Sequence, residues 1–176
     1  MHQAKLRGAH LLHTSEASLS GYAGVDFAQF NDFDWGLLRR ETAVLCQMAN
    51  ELDLWLVLGS AHYLDAEIKP TNCLYLIDPS GRIIDRYDKS MCTFGDQQHY
   101  TSGNRLVLRE IRGVNVGLAI CYDLCWPQFY AAYQEKGVTL MLHSFYNAGG
   151  KEETCLDVLV ERQLPTRCAD NRMWAV

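Results

Sequence analysis

The chain has 176 residues, enough for one domain at ~150 residues per domain, and enough to bury roughly 70% of its unfolded surface without disulfides or a structural metal. Hydrophobic residues make up 48% and charged residues 21%, which excludes a disordered chain. A net charge of −5 without any basic run argues against a nucleic-acid partner, and no apolar stretch approaches the ~20 residues that span a bilayer, so no membrane partner is expected either. The amino terminus, Met1-His2-Gln3-Ala4-Lys5, lacks the apolar core of a secretory signal, which makes the cytoplasm the expected compartment.

In chain order, strand and helix signals alternate. A brief, incomplete helical segment precedes Ala9 to His13, a short apolar run that reads as a buried strand. Asp34 to Leu52 reads as a helix, because Leu38, Leu45, Met48 and Leu52 recur at helical spacing, and Asp32 or Asp34 could cap its start. Leu54 to Leu58 is a continuous apolar run that suits a strand buried on both faces. Asn72 to Asp78 and Ile83 to Tyr87 read as a hairpin joined through Pro79-Ser80-Gly81, and Arg105 to Ile111 and Val114 to Ile120 as a second one around Gly113. Trp126 to Lys136 reads as a helix with Pro127 in its first turn, where the missing N–H costs nothing. Val138 to Phe145 is another apolar strand. Lys151 to Asp170 reads as helical with a kink or break at Pro165, and Met173 to Val176 begins a further strand. The layout is α/β, with no linker, low-complexity tract or internal repeat, and a single domain over residues 1–176 is expected.

The seven cysteines are odd in number, irregularly spaced and partly set in apolar runs, so they read as reduced, mostly buried thiols. A zinc site would need more than the lone close pair Cys121 and Cys125, and no metal is expected. The stretch Val116-Gly117-Leu118-Ala119-Ile120-Cys121-Tyr122-Asp123-Leu124-Cys125-Trp126-Pro127 carries more chemistry. An apolar strand runs into Cys121 and a helix begins a few residues later. A nucleophile at such a strand-to-helix turn projects from the sheet edge, beside backbone N–H groups that can hold an oxyanion. By itself, a cysteine ending a strand is equally a small buried hydrophobe.

Two further stretches bear on that choice: Leu11-Leu12-His13-Thr14-Ser15-Glu16-Ala17-Ser18-Leu19-Ser20-Gly21-Tyr22 and Gly81-Arg82-Ile83-Ile84-Asp85-Arg86-Tyr87-Asp88-Lys89. With the Cys121 segment they resemble the nitrilase superfamily, the carbon–nitrogen hydrolases, in which a Glu, a Lys and a Cys follow strands in that order. Asn72 opening its strand, the Gly103 loop after Lys89 and the Arg167-x3-Asn171 pair extend the resemblance over the whole chain. The resemblance implies a four-layer αββα sandwich and a thiol-dependent hydrolase of small amide-type substrates that needs no cofactor. In that reading Glu16 is the general base. Lys89 favours the Cys121 thiolate and, with the Tyr122 backbone N–H, holds the tetrahedral oxyanion. Asp96 stands where the family carries a second Glu, one methylene shorter.

The chain departs from the pattern elsewhere. Ser15 replaces the Pro that usually precedes the catalytic Glu, and Cys125 and Gln128 replace an Arg and a Glu beside Pro127. His143, Phe145, Tyr146 and Asn147 follow a strand and read either as pocket lining or as a packed strand end. Tyr122 and Trp126 read either as pocket wall or as core. The family's first strand normally precedes the helix that here ends near Gly8, and later strands normally follow Val176. A fragment or a short natural form is therefore expected, with sheet edges for another chain to cover, so a homodimer or larger homo-oligomer is the expected assembly. The alternatives to an amidase are a non-catalytic member with a binding or assembly role, and a nitrilase acting on nitriles.

Overall fold

The structure is a computed structural model describing residues 1–63, 65–146 and 155–176, with backbone alone over 155–159. Strands β1 (Leu11–His13), β2 (Trp55–His62), β3 (Thr71–Ile77) and β4 (Ile83–Asp88) form one sheet in the order β1-β2-β3-β4. Strands β5 (Leu108–Ile111), β6 (Val114–Ile120), β7 (Leu140–Ser144) and β8 (Trp174–Ala175) form the other in the order β5-β6-β7-β8. β1 runs parallel to β2, and β7 parallel to both β6 and β8, while β3 and β4 pair antiparallel as the hairpin read from Pro79-Ser80-Gly81. Asp78 closes that hairpin turn by accepting from the backbone N–H groups of Ser80 and Arg82. The β5–β6 turn places Arg112 and Gly113 in left-handed conformation, the pair a tight two-residue hairpin demands.

Alternation along the strands makes the layers. On β2, Val57 points into the core between the sheets, while Leu56 and Leu58 point outward against Ala49, Leu45 and Cys46 of helix α2 (Trp35–Glu51). Leu74 and Leu76 of β3 and Tyr87 of β4 meet Val116, Leu118 and Ile120 of β6 in the same inner core. Phe129, Tyr130 and Tyr133 of helix α4 (Pro127–Glu135) join it from beyond the second sheet. The order is helix, sheet, sheet, helix, which is the four-layer αββα arrangement. Asp34, not Asp32, caps α2, accepting from the Leu37 N–H at 2.7 Å.

Several boundaries and one break differ from the sequence reading. β2 runs on to His62 because its register with β3 continues through Gly59, Ser60 and Ala61, which are not apolar enough to signal a strand. β5 begins at Leu108 and β7 at Leu140, later than their apolar runs. The break at Pro165 does not occur: α5 (Cys155–Asn171) passes through it, held on both sides where Val160 and Leu164 pack on the core and Arg167 Nε donates to Leu124 O at 3.3 Å. Short helices α1 (His2–Leu6) and α3 (Asp96–His99) complete the described elements, and among the described residues no helix is long and apolar enough to cross a membrane.

Candidate active site

Glu16, Lys89 and Cys121 each follow a strand end, those of β1, β4 and β6, and the two sheets bring them together. The Glu16 loop lies directly on β2. A methyl group at Gly59 would stand 2.1 Å from the Ser15 carbonyl oxygen, so only glycine permits the approach. Glu16 is excluded from solvent and fully engaged: Oε1 accepts from Lys89 Nζ at 2.8 Å and Asn72 Nδ2 at 2.7 Å, and Oε2 from the Tyr146 N–H at 2.9 Å. Its backbone N–H donates to Phe145 O at 3.3 Å, which ties the loop to the end of β7.

Lys89 is equally buried, and its Nζ bridges Glu16 Oε1 at 2.8 Å and Asp96 Oδ2 at 2.9 Å. The backbone of Lys89 is held at both groups, its N–H donating to Asn72 O and its carbonyl accepting from the Gly103 N–H, each at 2.8 Å. Gly103 makes this possible, because a Cβ there would stand 2.2 Å from Asp88 O. Asp96 opens α3 and is held by the Thr93 N–H at 2.8 Å on Oδ2 and by the Tyr22 hydroxyl on Oδ1. The Tyr22 ring centroid is 5.9 Å from Lys89 Nζ, within cation–π range.

Cys121 is buried at the first position of a 3₁₀ turn (Cys121–Cys125), with φ of 45°, a left-handed conformation that costs a non-glycine residue about 1–3 kcal/mol. Neighbours on both sides hold it there. The preceding Ile120 N–H donates to Asp123 Oδ2 at 2.8 Å, and the Cys121 carbonyl meets His143 Nε2 at 3.2 Å. Asp123 also accepts from the Tyr87 hydroxyl at 2.7 Å and the Met91 N–H at 2.9 Å, so one buried carboxylate joins the Cys121 turn to the segment that follows Lys89.

The electrostatics follow from this burial. Burial pushes the Cys121 thiol up, the adjacent Glu16 carboxylate adds to the rise, and Lys89 opposes both. Burial raises Glu16 as well, against Lys89 and Asn72. Burial alone would lower Lys89, but Glu16, Cys121, Tyr22 and Asp96 outweigh it and hold the ammonium protonated. For Asp96 burial is outweighed by Lys89 and the Tyr22 and Thr93 hydrogen bonds, and its carboxyl sits below the ordinary range. Asp123 is pushed up to about 6 by burial. At rest the cluster thus holds a protonated thiol against a carboxylate whose basicity is raised, beside a fixed cation. Such an arrangement can pass the thiol proton to Glu16 as sulfur attacks.

The remaining residues singled out from the sequence divide. Tyr146 sits at the site: its N–H holds Glu16, its ring stacks on Tyr22 at 4.8 Å between centroids, and its hydroxyl donates to Asp26 Oδ1 at 2.8 Å. Phe145 contributes its carbonyl to Glu16, while its ring stacks on His143. His143 is buried at the strand end, with its ring against the Cys121 carbonyl. Tyr122 is half-buried beside the nucleophile position, and Trp126 is 45% exposed just before α4, its N–H donating to Asp123 O at 3.2 Å, so it is not core. Asn147 lies outside the described residues. Sequence reasoning assigned no role to Tyr22, Asp26 or Asp123. Tyr22 and Asp123 lie within the stretches that carried the resemblance, and an acid two positions after the cysteine of an apolar strand was the available signal.

Comparison with known proteins places this geometry in context. The family described as carbon–nitrogen hydrolase matches residues 1–175. An omega-amidase of Homo sapiens is 24% identical over 150 residues, covering 80% of this chain and 53% of the relative. An (R)-stereoselective amidase of Pseudomonas sp is 30% identical over 132 residues, 75% of this chain and 46% of that protein. The chain therefore spans about half the length of the curated relatives it matches. The crystal structure of an amidase from Nesterenkonia sp. superimposes with a TM-score of 0.84 at 21% identity, over 98% of this chain and 65% of that one, a likeness of fold.

Proposed function

The chain belongs to the carbon–nitrogen hydrolase family, and from that premise we propose that it is a thiol-dependent amidohydrolase acting on a small amide through a Cys121 thioester. One observation carries the reading: buried Lys89 Nζ stands 2.8 Å from Glu16 Oε1, with the Cys121 thiol against the same carboxylate. Glu16 takes the thiol proton while sulfur attacks the amide carbon, forming the C–S bond and moving the carbonyl π pair onto oxygen. Lys89 and the Tyr122 N–H stabilise that oxyanion. The tetrahedral adduct collapses, the C–N bond breaks, and the leaving nitrogen takes the proton from Glu16. Water, losing a proton to Glu16, then attacks the thioester, the C–S bond breaks, and the thiol is restored as the carboxylic acid leaves. No cofactor enters any step. The omega-amidase and the (R)-stereoselective amidase among the relatives support an amide substrate, and a variant of the Nesterenkonia amidase carries the acetamide moiety of fluoroacetamide covalently on its active site cysteine.

The test is selective labelling. Fluoroacetamide and a panel of small amides are incubated with the protein, quenched in acid and followed by intact mass and peptide mapping. Adducts confined to Cys121 and abolished by Lys89→Ala are expected. Labelling spread over Cys46, Cys92 and Cys125 and indifferent to Lys89→Ala would instead favour a non-catalytic member with a binding or assembly role.

A further inference from the structure

His143 lies directly under the nucleophile, and the mechanism above does not use it. Its Nε2 is 3.2 Å from the Cys121 carbonyl and its Nδ1 is 2.5 Å from the Tyr130 hydroxyl. A carbonyl oxygen only accepts, so Nε2 carries the hydrogen, and the bare Nδ1 of a neutral ring accepts from Tyr130. The ring is held flat on Phe145, with centroids 4.3 Å apart and planes 12° from parallel. Position and tautomer are therefore both fixed. Burial pushes the His143 pKa down to about 3, so the ring stays neutral at any ordinary pH.

The carbonyl that His143 holds belongs to the Cys121–Tyr122 peptide. That peptide is trans, since no peptide bond among the described residues is cis, and in a trans peptide the C=O and the N–H point in opposite directions. Fixing the carbonyl downward onto β7 turns the Tyr122 N–H upward. From this geometry we infer that His143 is a positioning residue: it clamps the Cys121 carbonyl so that the Tyr122 N–H faces the oxygen of a carbonyl attacked at the thiol. The strained φ of Cys121 gives the clamp its purpose, because together with the Asp123 contact to the Ile120 N–H it keeps the peptide in the left-handed region. Tyr130, through its hydroxyl, selects the tautomer that can donate. The inference rests on the amidase reading for its consequence in turnover, but the clamp itself can be read without turnover.

The experiment therefore has two arms. In the first, ¹⁵N NMR of histidine-labelled protein, with the His143 signals assigned by their loss in His143→Gln, reports the ring state between pH 5 and 8. A neutral Nε2–H tautomer throughout is expected; an Nδ1–H tautomer or an imidazolium would overturn the clamp. In the second, His143→Phe and His143→Gln are compared on an amide that acylates Cys121. Removing one oxyanion donor outright costs about 10²–10³ in kcat, so misaiming it in His143→Phe should cost about 10- to 100-fold, with KM little changed. Alkylation of Cys121 by iodoacetamide, which needs no oxyanion donor, should stay within about twofold, and His143→Gln, whose amide N–H can reach the same carbonyl, should recover most of the rate. Unchanged turnover in His143→Phe, or turnover and alkylation falling together, would overturn the inference. If the wild-type protein acylates on no amide, the amidase reading fails and the NMR arm still decides the clamp.

Discussion

Lys89 Nζ lies 2.8 Å from Glu16 Oε1 with both side chains excluded from solvent, and a second carboxylate, Asp96, takes the other side of the same ammonium at 2.9 Å. One cation thus balances two buried acids. A buried ion pair of this kind contributes little net stability, because desolvation consumes most of the Coulombic gain, but removing one partner exposes the full cost. The two carboxylates are not equivalent in what their loss does.

Glu16→Gln removes the proton acceptor and keeps the shape. Turnover should fall by about 10²–10⁴-fold. Stability should fall by only about 1–3 kcal/mol, because the amide nitrogen leaves one buried donor such as the Tyr146 N–H without its acceptor, while Asp96 still neutralises Lys89. Urea midpoints beside steady-state rates check both. In the wild-type protein Glu16 must be ionised to act, and burial raises its pKa, so activity should be lost as pH falls through a value above the ordinary carboxylate range. A kcat/KM profile whose acid limb sits at an unshifted carboxylate value would contradict the base assignment.

Lys89→Met should destabilise by about 3–5 kcal/mol at neutral pH, since it leaves Glu16 and Asp96 buried without a counterion. The pH dependence should also change, because in the wild-type protein the raised Glu16 pKa, whose stability is lost as pH rises, is opposed by Asp96. In the wild-type protein the depressed Asp96 pKa contributes stability above its unfolded value, lost as pH falls through the folded one. In the variant both carboxyls are raised, so stability should fall as pH rises. Urea midpoints at pH 5 and pH 8 decide it; a variant equally stable at both would contradict the charge balance drawn here.

Asp123→Asn places an amide N–H₂ among three donors, the Ile120 and Met91 N–H groups and the Tyr87 hydroxyl. At least one buried donor loses its acceptor, a cost of about 1–3 kcal/mol. Because that node joins the Cys121 turn to the segment after Lys89, alkylation of Cys121 should slow as well. A stability loss with an unchanged alkylation rate would reduce Asp123 to a packing role.

Association is the fourth expectation. Trp174 is 80% exposed on strand β8, at one edge of the second sheet, and Trp126 is 45% exposed beside the nucleophile turn. Exposed aromatics at a sheet edge favour pairing with another chain. Sedimentation at micromolar concentration should give a dimer or larger species, and Trp174→Ala or Trp126→Ala should weaken it. A monomer that is stable to heating would contradict the expectation.

The helix over Trp35–Glu51, both hairpins, the α/β class and the order Glu16, Lys89, Cys121 were legible along the chain, because helical spacing, alternation and turn residues are local properties. Asp96 stands where the resemblance puts a second acid, and the structure brings it to Lys89. Of the kink or break read from Pro165 the break is absent, since packing of Val160 and Leu164 on the core keeps α5 continuous. The partners of the cluster were not legible. Tyr87 and Met91 meet Asp123 because the two sheets stack face to face, His143 meets the Cys121 carbonyl across the paired strands β6 and β7, and Tyr22 meets Asp96 through the loops that follow β1 and β4.

The sequence by itself determined which groups are present and which strand ends carry them: a carboxylate, an ammonium and a thiol, each following a strand legible from its own residues. Only the tertiary structure decided that the three share one solvent-free space, that Asp96 completes the charge balance, and that Asp123 and His143 hold Cys121 in its strained conformation. The physical reason is distance along the chain. Hydrophobic periodicity reports each element's own face, whereas hydrogen bonds and charge balance depend on which faces meet, and that is settled by the packing of one sheet against the other.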